Sequence, residues 1–135
     1  MSKPAAAKAG VDLAATFDEL HSLLKRYSPP FGARTGTVKN KRDYNLWSEK
    51  QVIIEGRQCE EVAFAALIEQ KGYVGFYLMP LYATPELNSS IPPRLMKLLK
   101  GKSCFHVKVL TPELVSDIKS ALDEGRALYR KRGWV

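Results

Sequence analysis

The chain has 135 residues, of which 45% are hydrophobic, and its 21 Lys and Arg outnumber its 14 Asp and Glu to give a formal net charge of +7. This length and composition fit one globular domain with an apolar core. The sequence contains no apolar run of about 18 residues, which excludes a helix that spans a membrane, so we expect no membrane partner.

Residues 1–10 lack the apolar stretch of a secretory signal, and we interpret them as a flexible tail before a single domain of residues 11–135. The two cysteines, Cys59 and Cys104, lie far apart and have no neighbours at metal-ligand spacing. This pattern favours reduced thiols over a disulfide. Together these observations predict a cytoplasmic protein.

The basic residues are concentrated in segments without acids. No Asp or Glu lies between Glu19 and Asp43 or between Glu86 and Glu113, whereas Lys and Arg accumulate in both segments. We interpret them as a solvated basic surface. Binding of an anion or a nucleic acid is the alternative, although the sequence contains no zinc finger, aromatic RNA-binding pattern or helix-turn-helix motif.

An amphipathic helix is predicted over Val11–Tyr27, because apolar residues recur there at helical spacing. Its apolar stripe consists of Leu13, Phe17, Leu20 and Leu24. Asp12 is the expected N-cap, and Ser28-Pro29-Pro30 ends the helix. The following segment, Phe31–Thr37, is punctuated by glycine and is expected to be a loop.

Strands are predicted in the middle of the chain. They are Asp43–Ser48, Val52–Glu60 with a tight turn at Glu55-Gly56, Val62–Gln70 and Tyr73–Leu81. The turn Lys71-Gly72 joins the last two strands into the clearest hairpin. Tyr73–Leu81 is apolar on both sides, which indicates either a central strand covered on both faces or a sheet whose open face is occupied.

A helix, a strand and a second helix are predicted for the last third of the chain. The short helix Pro93–Leu99 begins with proline and exits at Gly101, and a strand covers Ser103–Val109. A long helix begins at Thr111, its expected N-cap. The order α-β-β-β-β-α-β-α, with hairpins and helices segregated, predicts a two-layer α+β domain.

The strand Ser103–Val109 carries the most informative side chains, because alternate residues point to opposite sides of a strand. One row contains Phe105 and Val107, which we expect to be buried, and the other contains Cys104, His106 and Lys108. A Cys–His pair on one side permits nucleophilic chemistry if the thiol pKa is lowered. A half-buried thiol that serves as a small apolar group is the favoured interpretation.

Other chemistry is not favoured at this segment. Two ligands, Cys104 and His106, are too few for zinc. Gly101-Lys102-Ser103 resembles the end of a phosphate loop, but position 96 is Met96 instead of glycine and a strand follows instead of a helix. We therefore expect a structural turn here, no metal and no cofactor.

The candidate ligand site is the surface that surrounds the Cys–His row. Its predicted residues are Tyr77, Met79, Lys102, Cys104 and His106, and we expect Tyr44, Trp47 and Tyr73 on the same surface. A pocket walled by aromatic rings and edged by lysines suits a small anionic or aromatic ligand. A homodimer interface or packing against a second layer is the alternative.

Three stretches of the chain resemble the YdhG-like family, a small domain of unknown function, and the likeness extends from the first helix to about Tyr129. They are Tyr44–Ser48, Lys71–Leu78 and Gly101–Lys108. The resemblance implies a two-layer α+β fold with helices on one face of a curved antiparallel sheet. One branch of the family is described as frataxin-like iron chaperones, which implies iron binding.

Iron handling of that kind requires a ridge of carboxylates, because hard cations prefer oxygen ligands. The sequence has no acidic cluster and a positive net charge, so we do not expect iron binding. The sequence favours a non-catalytic binding or interaction module that uses the open face of the sheet. An enzyme that depends on Cys104 and His106 is one alternative, and a protein that binds anions or nucleic acid through its basic surface is another.

Overall fold

The computed structural model describes residues 12–38, 41–54, 56–83 and 85–135. The tail assigned to residues 1–10 lies outside the described residues. The helices are α1 Leu13–Lys25, α2 Met79–Ala83, α3 Pro93–Met96 and α4 Pro112–Lys131, and a 3₁₀-helix covers Pro85–Ser90. The strands are β1 Gly32–Val38, β2 Lys41–Ser48, β3 Val52–Ile54, β4 Arg57–Cys59, β5 Val62–Gln70, β6 Tyr73–Leu78, β7 Leu99–Lys100 and β8 Cys104–Val107.

The sheet contains six strands in the order β1-β2-β5-β6-β8-β7, and β3 pairs with β4 in a separate small sheet. All of these pairs are antiparallel. The α+β class and the predicted order of elements are therefore confirmed. Within the described ranges, no helix has the length and apolarity needed to cross a membrane.

The prediction of a loop over Phe31–Thr37 is wrong. Gly32–Val38 forms the edge strand β1, whose register on β2 extends from Gly32 opposite Trp47 to Val38 opposite Lys41. Residues 33–37 are exposed, so no alternation of apolar and polar side chains indicated a strand. Backbone hydrogen bonds to β2 make this segment a strand, although its side chains show no strand pattern.

The strand predicted over Tyr73–Leu81 ends earlier, at Leu78, and Met79 begins α2. Pro80 explains the difference, because proline lacks the N–H that a central strand donates to its neighbour. The predicted caps are confirmed. The Asp12 carboxylate accepts a hydrogen bond from the Ala15 N–H at 3.1 Å, and the Thr111 hydroxyl accepts one from the Leu114 N–H at 3.1 Å.

The inward row of the sheet is buried beneath the helices. Leu67, Phe76 and Phe105 lie opposite one another on β5, β6 and β8, and each is 0% exposed. The helices cover this row with fully buried side chains, namely Leu20 and Leu24 of α1 and Ile118, Ala121 and Leu122 of α4. This side of the sheet is the hydrophobic core.

An aromatic cluster joins α4 to the first residues of β5. The Phe31 and Phe64 rings stack with centroids 4.0 Å apart, and the Tyr129 ring meets Phe64 edge-on at 5.4 Å. The Tyr129 hydroxyl donates a hydrogen bond to the Ala63 carbonyl at 2.7 Å. These contacts fix the C-terminal half of α4 against the sheet.

The outward row of the sheet is only half-buried. It consists of Asn45, Ala66, Ile68, Tyr73, Tyr77, Cys104 and His106, which we call the open face together with Trp47, Ala63 and Met79. Strand β6 is thus central in the sheet, but the described helices cover one side of it. Its apolar outward residues face outside the core.

Gly125 of α4 lies in a tight contact that we expect to reject a side chain. A Cβ at this position would lie 2.9 Å from Cγ of Pro80 and 3.3 Å from Cε1 of Phe64. Alanine normally stabilises a helix interior by about 1 kcal/mol relative to glycine. Here we expect Gly125→Ala to lower the free energy of unfolding by about 1–2 kcal/mol, measured by urea denaturation, because the added methyl overpacks the core.

Ser120→Ala, at an exposed position of the same helix, is the matched control and should change the free energy of unfolding by less than about 0.5 kcal/mol. A Gly125→Ala variant more stable than the unsubstituted protein would contradict the packing of α4 on Pro80 and Phe64.

Candidate ligand-binding site

Three of the five predicted site residues come from two strands that are neighbours in the sheet. The register of β6 and β8 places Tyr77 opposite Cys104 and Gly75 opposite His106. Tyr77, Cys104 and His106 therefore share the open face. Met79 follows β6 as the first residue of α2, and Lys102 lies in the exposed turn before β8.

These residues do not surround one pocket. Tyr77 and Met79 line a depression of about 340 Å³ on the open face, which we call the apolar hollow. His106 lines a second depression of about 530 Å³ at the edge of the sheet, which we call the basic cleft. Cys104 and Lys102 line neither of these two depressions.

The apolar hollow has a floor of small and apolar side chains. Its lining includes Trp47, Ala63, Ala66 and Ile68 besides Tyr77 and Met79. The Arg34 guanidinium lies 4.6 Å from the centroid of the Trp47 ring, a cation–π contact at the margin of the hollow. Arg34 was not predicted as a site residue, because the segment that carries it lacks a strand pattern and was expected to be a loop.

Tyr44 does not lie on the open face as predicted. It pairs with Leu67 on the inward side, is 4% exposed, and its ring centroid lies 4.3 Å from that of His21 on α1. The alternation of side chains along β2 directs Tyr44 and Leu46 inward and leaves Asn45 and Trp47 outward. Of the predicted aromatic residues, Trp47, Tyr73 and Tyr77 are those on the open face.

Each member of the predicted Cys–His pair has a partner on β6. The His106 and Tyr73 rings stack with centroids 3.8 Å apart and an interplanar angle of 11°. Burial raises the pKa of the Cys104 thiol above its ordinary value, against a smaller lowering by its hydrogen bond with Tyr77. A thiol with a raised pKa is mostly protonated at neutral pH and is a weak nucleophile.

The basic cleft brings cationic side chains from several elements together. They are Arg94 and Lys97 from the α3 region, Lys100 from β7, and Lys108 after β8. His106 lies among them, and Leu98, Val109 and Leu114 supply an apolar wall. The first basic segment of the sequence contributes none of these residues, so the cleft depends on the second segment.

An ion pair fixes one side of the cleft. The Arg94 guanidinium donates hydrogen bonds of 2.7 and 3.0 Å to the two carboxylate oxygens of Asp117, which is 6% exposed. This bidentate pair joins α3 to α4 and raises the pKa of Arg94. In the described part of the chain, Lys97, Lys100 and Lys108 form no ion pair.

The local sequence explains why a depression forms at this edge. Gly101 adopts a positive φ of 81°, which a glycine adopts without strain, and the resulting turn reverses the chain between β7 and β8. Strand β7 has two residues, and the His106 N–H donates to the Leu98 carbonyl at 2.9 Å just before it. The short edge strand leaves space between α3, β8 and the capped start of α4.

A third depression is acidic and was not predicted. Glu49, Glu60 and Glu61, with Gln51, line an open groove that we call the acidic groove. Two short segments, Glu49–Gln51 after β2 and Glu60–Glu61 before β5, meet because β2 ends where β5 begins. Among the residues that the structure describes, no three His, Cys, Asp or Glu are arranged to hold a metal ion, and Cys59 and Cys104 are free thiols.

The chain matches no protein-family model, no curated protein and no solved structure. The resemblance to the YdhG-like family therefore stays a prediction from three sequence stretches. The fold, the two depressions and the acidic groove are the observations that bear on function.

The environment of Cys104 leads to a prediction about its reactivity. In a Cys59→Ser variant, Cys104 is the single remaining thiol of the chain. We expect iodoacetamide to alkylate it more slowly at neutral pH than a cysteine in an unstructured peptide, and the rate to rise with an apparent pKa above the ordinary 9.0. Mass spectrometry over a pH series measures both quantities.

Tyr77→Phe is the informative second variant. The hydrogen bond from Tyr77 lowers the pKa of the Cys104 thiol, so removing the Tyr77 hydroxyl should raise that pKa further. Alkylation of Cys104 at neutral pH as fast as the peptide, or faster, would contradict this account and would favour a reactive thiol.

Proposed function

We propose that the protein is a non-catalytic cytoplasmic module that binds a small organic anion in the basic cleft. The ligand class is a carboxylate, sulfonate or phosphate attached to an apolar or aromatic group. The observation that carries the proposal is the convergence of Arg94, Lys97, Lys100 and Lys108 on one cleft that also has an apolar wall.

Electrostatics supports an anionic ligand. The negative charges of Asp117 and Glu113 act on Arg94 and largely compensate its positive charge. The three lysines of the cleft have no carboxylate partner among the described residues. An anion placed between them gains charge-assisted hydrogen bonds, and because all three lysines are exposed, each ion pair contributes about 0.2–1 kcal/mol.

The apolar wall supports an organic ligand over an inorganic ion. Val109 is 58% exposed, an unusual state for a large apolar side chain, and it lies beside Leu98 and Leu114. Covering such a surface contributes about 25 cal/mol per Å² of apolar area removed from water. A ligand with an apolar group should therefore bind more tightly than phosphate alone.

The size of the cleft supports a small ligand over a nucleic acid. Its volume of about 530 Å³ lies within the range of about 300–1,000 Å³ that is usual for small-molecule sites. A nucleic acid would require a longer basic stripe that follows the phosphate backbone. The protonated state of the Cys104 thiol likewise supports binding over the alternative of a Cys–His enzyme.

The proposal is tested with anilinonaphthalenesulfonate, a fluorescent probe that joins a sulfonate to aromatic rings. The unsubstituted protein should bind it saturably, with a fluorescence increase. The variant Lys97→Glu/Lys108→Glu should raise the dissociation constant by about tenfold or more, because two attractive charges become repulsive. Inorganic phosphate should compete weakly, since it lacks the apolar group.

The matched control is Lys119→Glu/Lys131→Glu, which changes the net charge equally at two exposed positions of α4 outside the cleft lining. It should leave the dissociation constant within about twofold, as expected for screened surface charges. Equal affinity in the cleft variant and the unsubstituted protein would refute the proposal. So would loss of probe binding in Arg34→Gln, a substitution in the apolar hollow, without loss in the cleft variant.

A further inference from the structure

Opposite charges lie on different strands of the sheet. The acidic groove adjoins the end where Ser48 of β2 pairs with Val62 of β5. The basic cleft includes Lys108, which follows the end of β8. Strands β5 and β8 are both antiparallel to β6 and so run in the same direction. Lys108 therefore lies at the end of the sheet away from the start of β5, whereas Lys100 of the same cleft pairs with Cys104 at the other end of β8. The cleft follows the edge formed by β8 and β7, and β8 is two strands from β5.

Both charged regions reach the open face. Glu61 lines the acidic groove and also the apolar hollow. His106 lines the basic cleft and stacks on Tyr73 of the open face. The open face thus has a negative region beside the start of β5, a positive region along the β8–β7 edge, and an apolar surface between these two ends.

The central part of the open face is apolar and contains the apolar hollow. Cε1 of Tyr77 lies 3.1 Å from the position that a Cβ of Gly75 would occupy, so the Tyr77 ring lies across the glycine. The Tyr73 and His106 rings are stacked beside it. Half-buried Ala66 and Ile68 continue this surface on β5. An apolar centre with charged margins has the composition of a protein interface.

We propose that the open face binds a second copy of this chain and forms a two-fold symmetric dimer. A two-fold axis that lies in the interface, perpendicular to the line joining the charged regions, exchanges the two ends of the face. It places the acidic groove of each protomer over the basic cleft of its partner. A surface with opposite charges at its two ends is complementary to itself under this operation.

The carboxylates of the acidic groove are free to take part. Within the described ranges, Glu49, Glu60 and Glu61 form no ion pair. In the dimer they would contact the lysines to which we assign the organic anion, so ligand and partner would exclude each other. Dimerisation is therefore measured in buffer without organic anions, and its outcome does not depend on the proposed ligand.

Sedimentation equilibrium with exchanged charges provides the test. The unsubstituted protein should approach twice its monomer mass of 15.1 kDa as its concentration rises. Glu49→Lys/Glu61→Lys and Lys97→Glu/Lys108→Glu should each raise the dimer dissociation constant by about tenfold or more, because like charges then face each other. An equimolar mixture of the two variants should dimerise again, since both contacts regain opposite charges.

Exchanging the charges tests the local contact more specifically than a salt titration does. The net charge of +7 makes two copies repel each other at long range, and salt weakens this repulsion together with the local attraction. The mixture of variants isolates the local contact. Restored dimerisation in the mixture is a result that a general effect on solubility does not produce.

The apolar centre is tested separately. Ile68→Asp places a charge in the middle of the open face and should shift the protein to monomer at concentrations where the unsubstituted protein is dimeric. The matched control is Ile53→Asp on β3, where the side chain is 73% exposed and lies away from the open face. Circular dichroism checks the fold, and if Ile68→Asp does not fold, the charge-exchange mixture decides.

Two results would overturn the proposal. One is a mass of 15.1 kDa for the unsubstituted protein up to millimolar concentration. The other is a mixture of charge variants that stays monomeric while the unsubstituted protein dimerises. A monomer that still binds anilinonaphthalenesulfonate through Lys97 and Lys108 would refute the dimer and leave the ligand proposal standing.

Discussion

Strand β6 lies in the middle of the sheet with apolar residues on both sides, and helices cover one of these sides. Phe76 and Leu78 are fully buried against the helical layer, which supplies the hydrophobic stabilisation of the domain. Tyr77 and the half-buried Tyr73 face the other way, because neighbouring side chains on a strand cannot share a face. The one-sided packing therefore fixes the core and also produces an apolar surface outside it. The apolar hollow lies on that surface, and the basic cleft and the acidic groove lie at its margin.

The basic cleft exists because the sheet ends abruptly at β7. A two-residue edge strand cannot fill the space between α3 and the start of α4, and the Arg94–Asp117 ion pair holds those two helices in position. Asp117 is buried and bonded through both oxygens, which makes this pair more rigid than a surface ion pair. The lysines beside it have no such partner among the described residues. Within one cleft, Arg94 is thus held in an ion pair that joins two helices, whereas the lysines have no carboxylate partner among the described residues.

The two proposals use one electrostatic arrangement. In both proposals the cleft lysines bind an anionic group, which is either the carboxylate, sulfonate or phosphate of a small ligand or a glutamate carboxylate of a second copy. Cys104 and Tyr77 occupy the apolar middle of the open face, where burial keeps the thiol protonated. Cys104 and Tyr77 are therefore better suited to packing against another surface than to nucleophilic chemistry. Burial raises the pKa of both groups, and the hydrogen bond between them lowers that of the thiol by a smaller amount.

The sequence by itself determined the order of elements, the two rows of side chains on β6, the buried row of β8, the caps of α1 and α4, and the placement of Cys104 and His106 on one side of β8. Periodicity and capping are local, so they can be read from neighbouring residues. It did not reveal β1, because residues 33–37 are exposed and only pairing with β2 makes them a strand. Nor did it place Tyr44 inward or separate His106 from Tyr77 and Met79 into different depressions. Those facts depend on register and on which elements meet at each end of the sheet, as do the convergence of Glu49 with Glu61 and of Arg94 with Lys108. Residues that are distant in the sequence share an electrostatic environment only when tertiary contacts bring them together. Local sequence patterns do not specify those contacts.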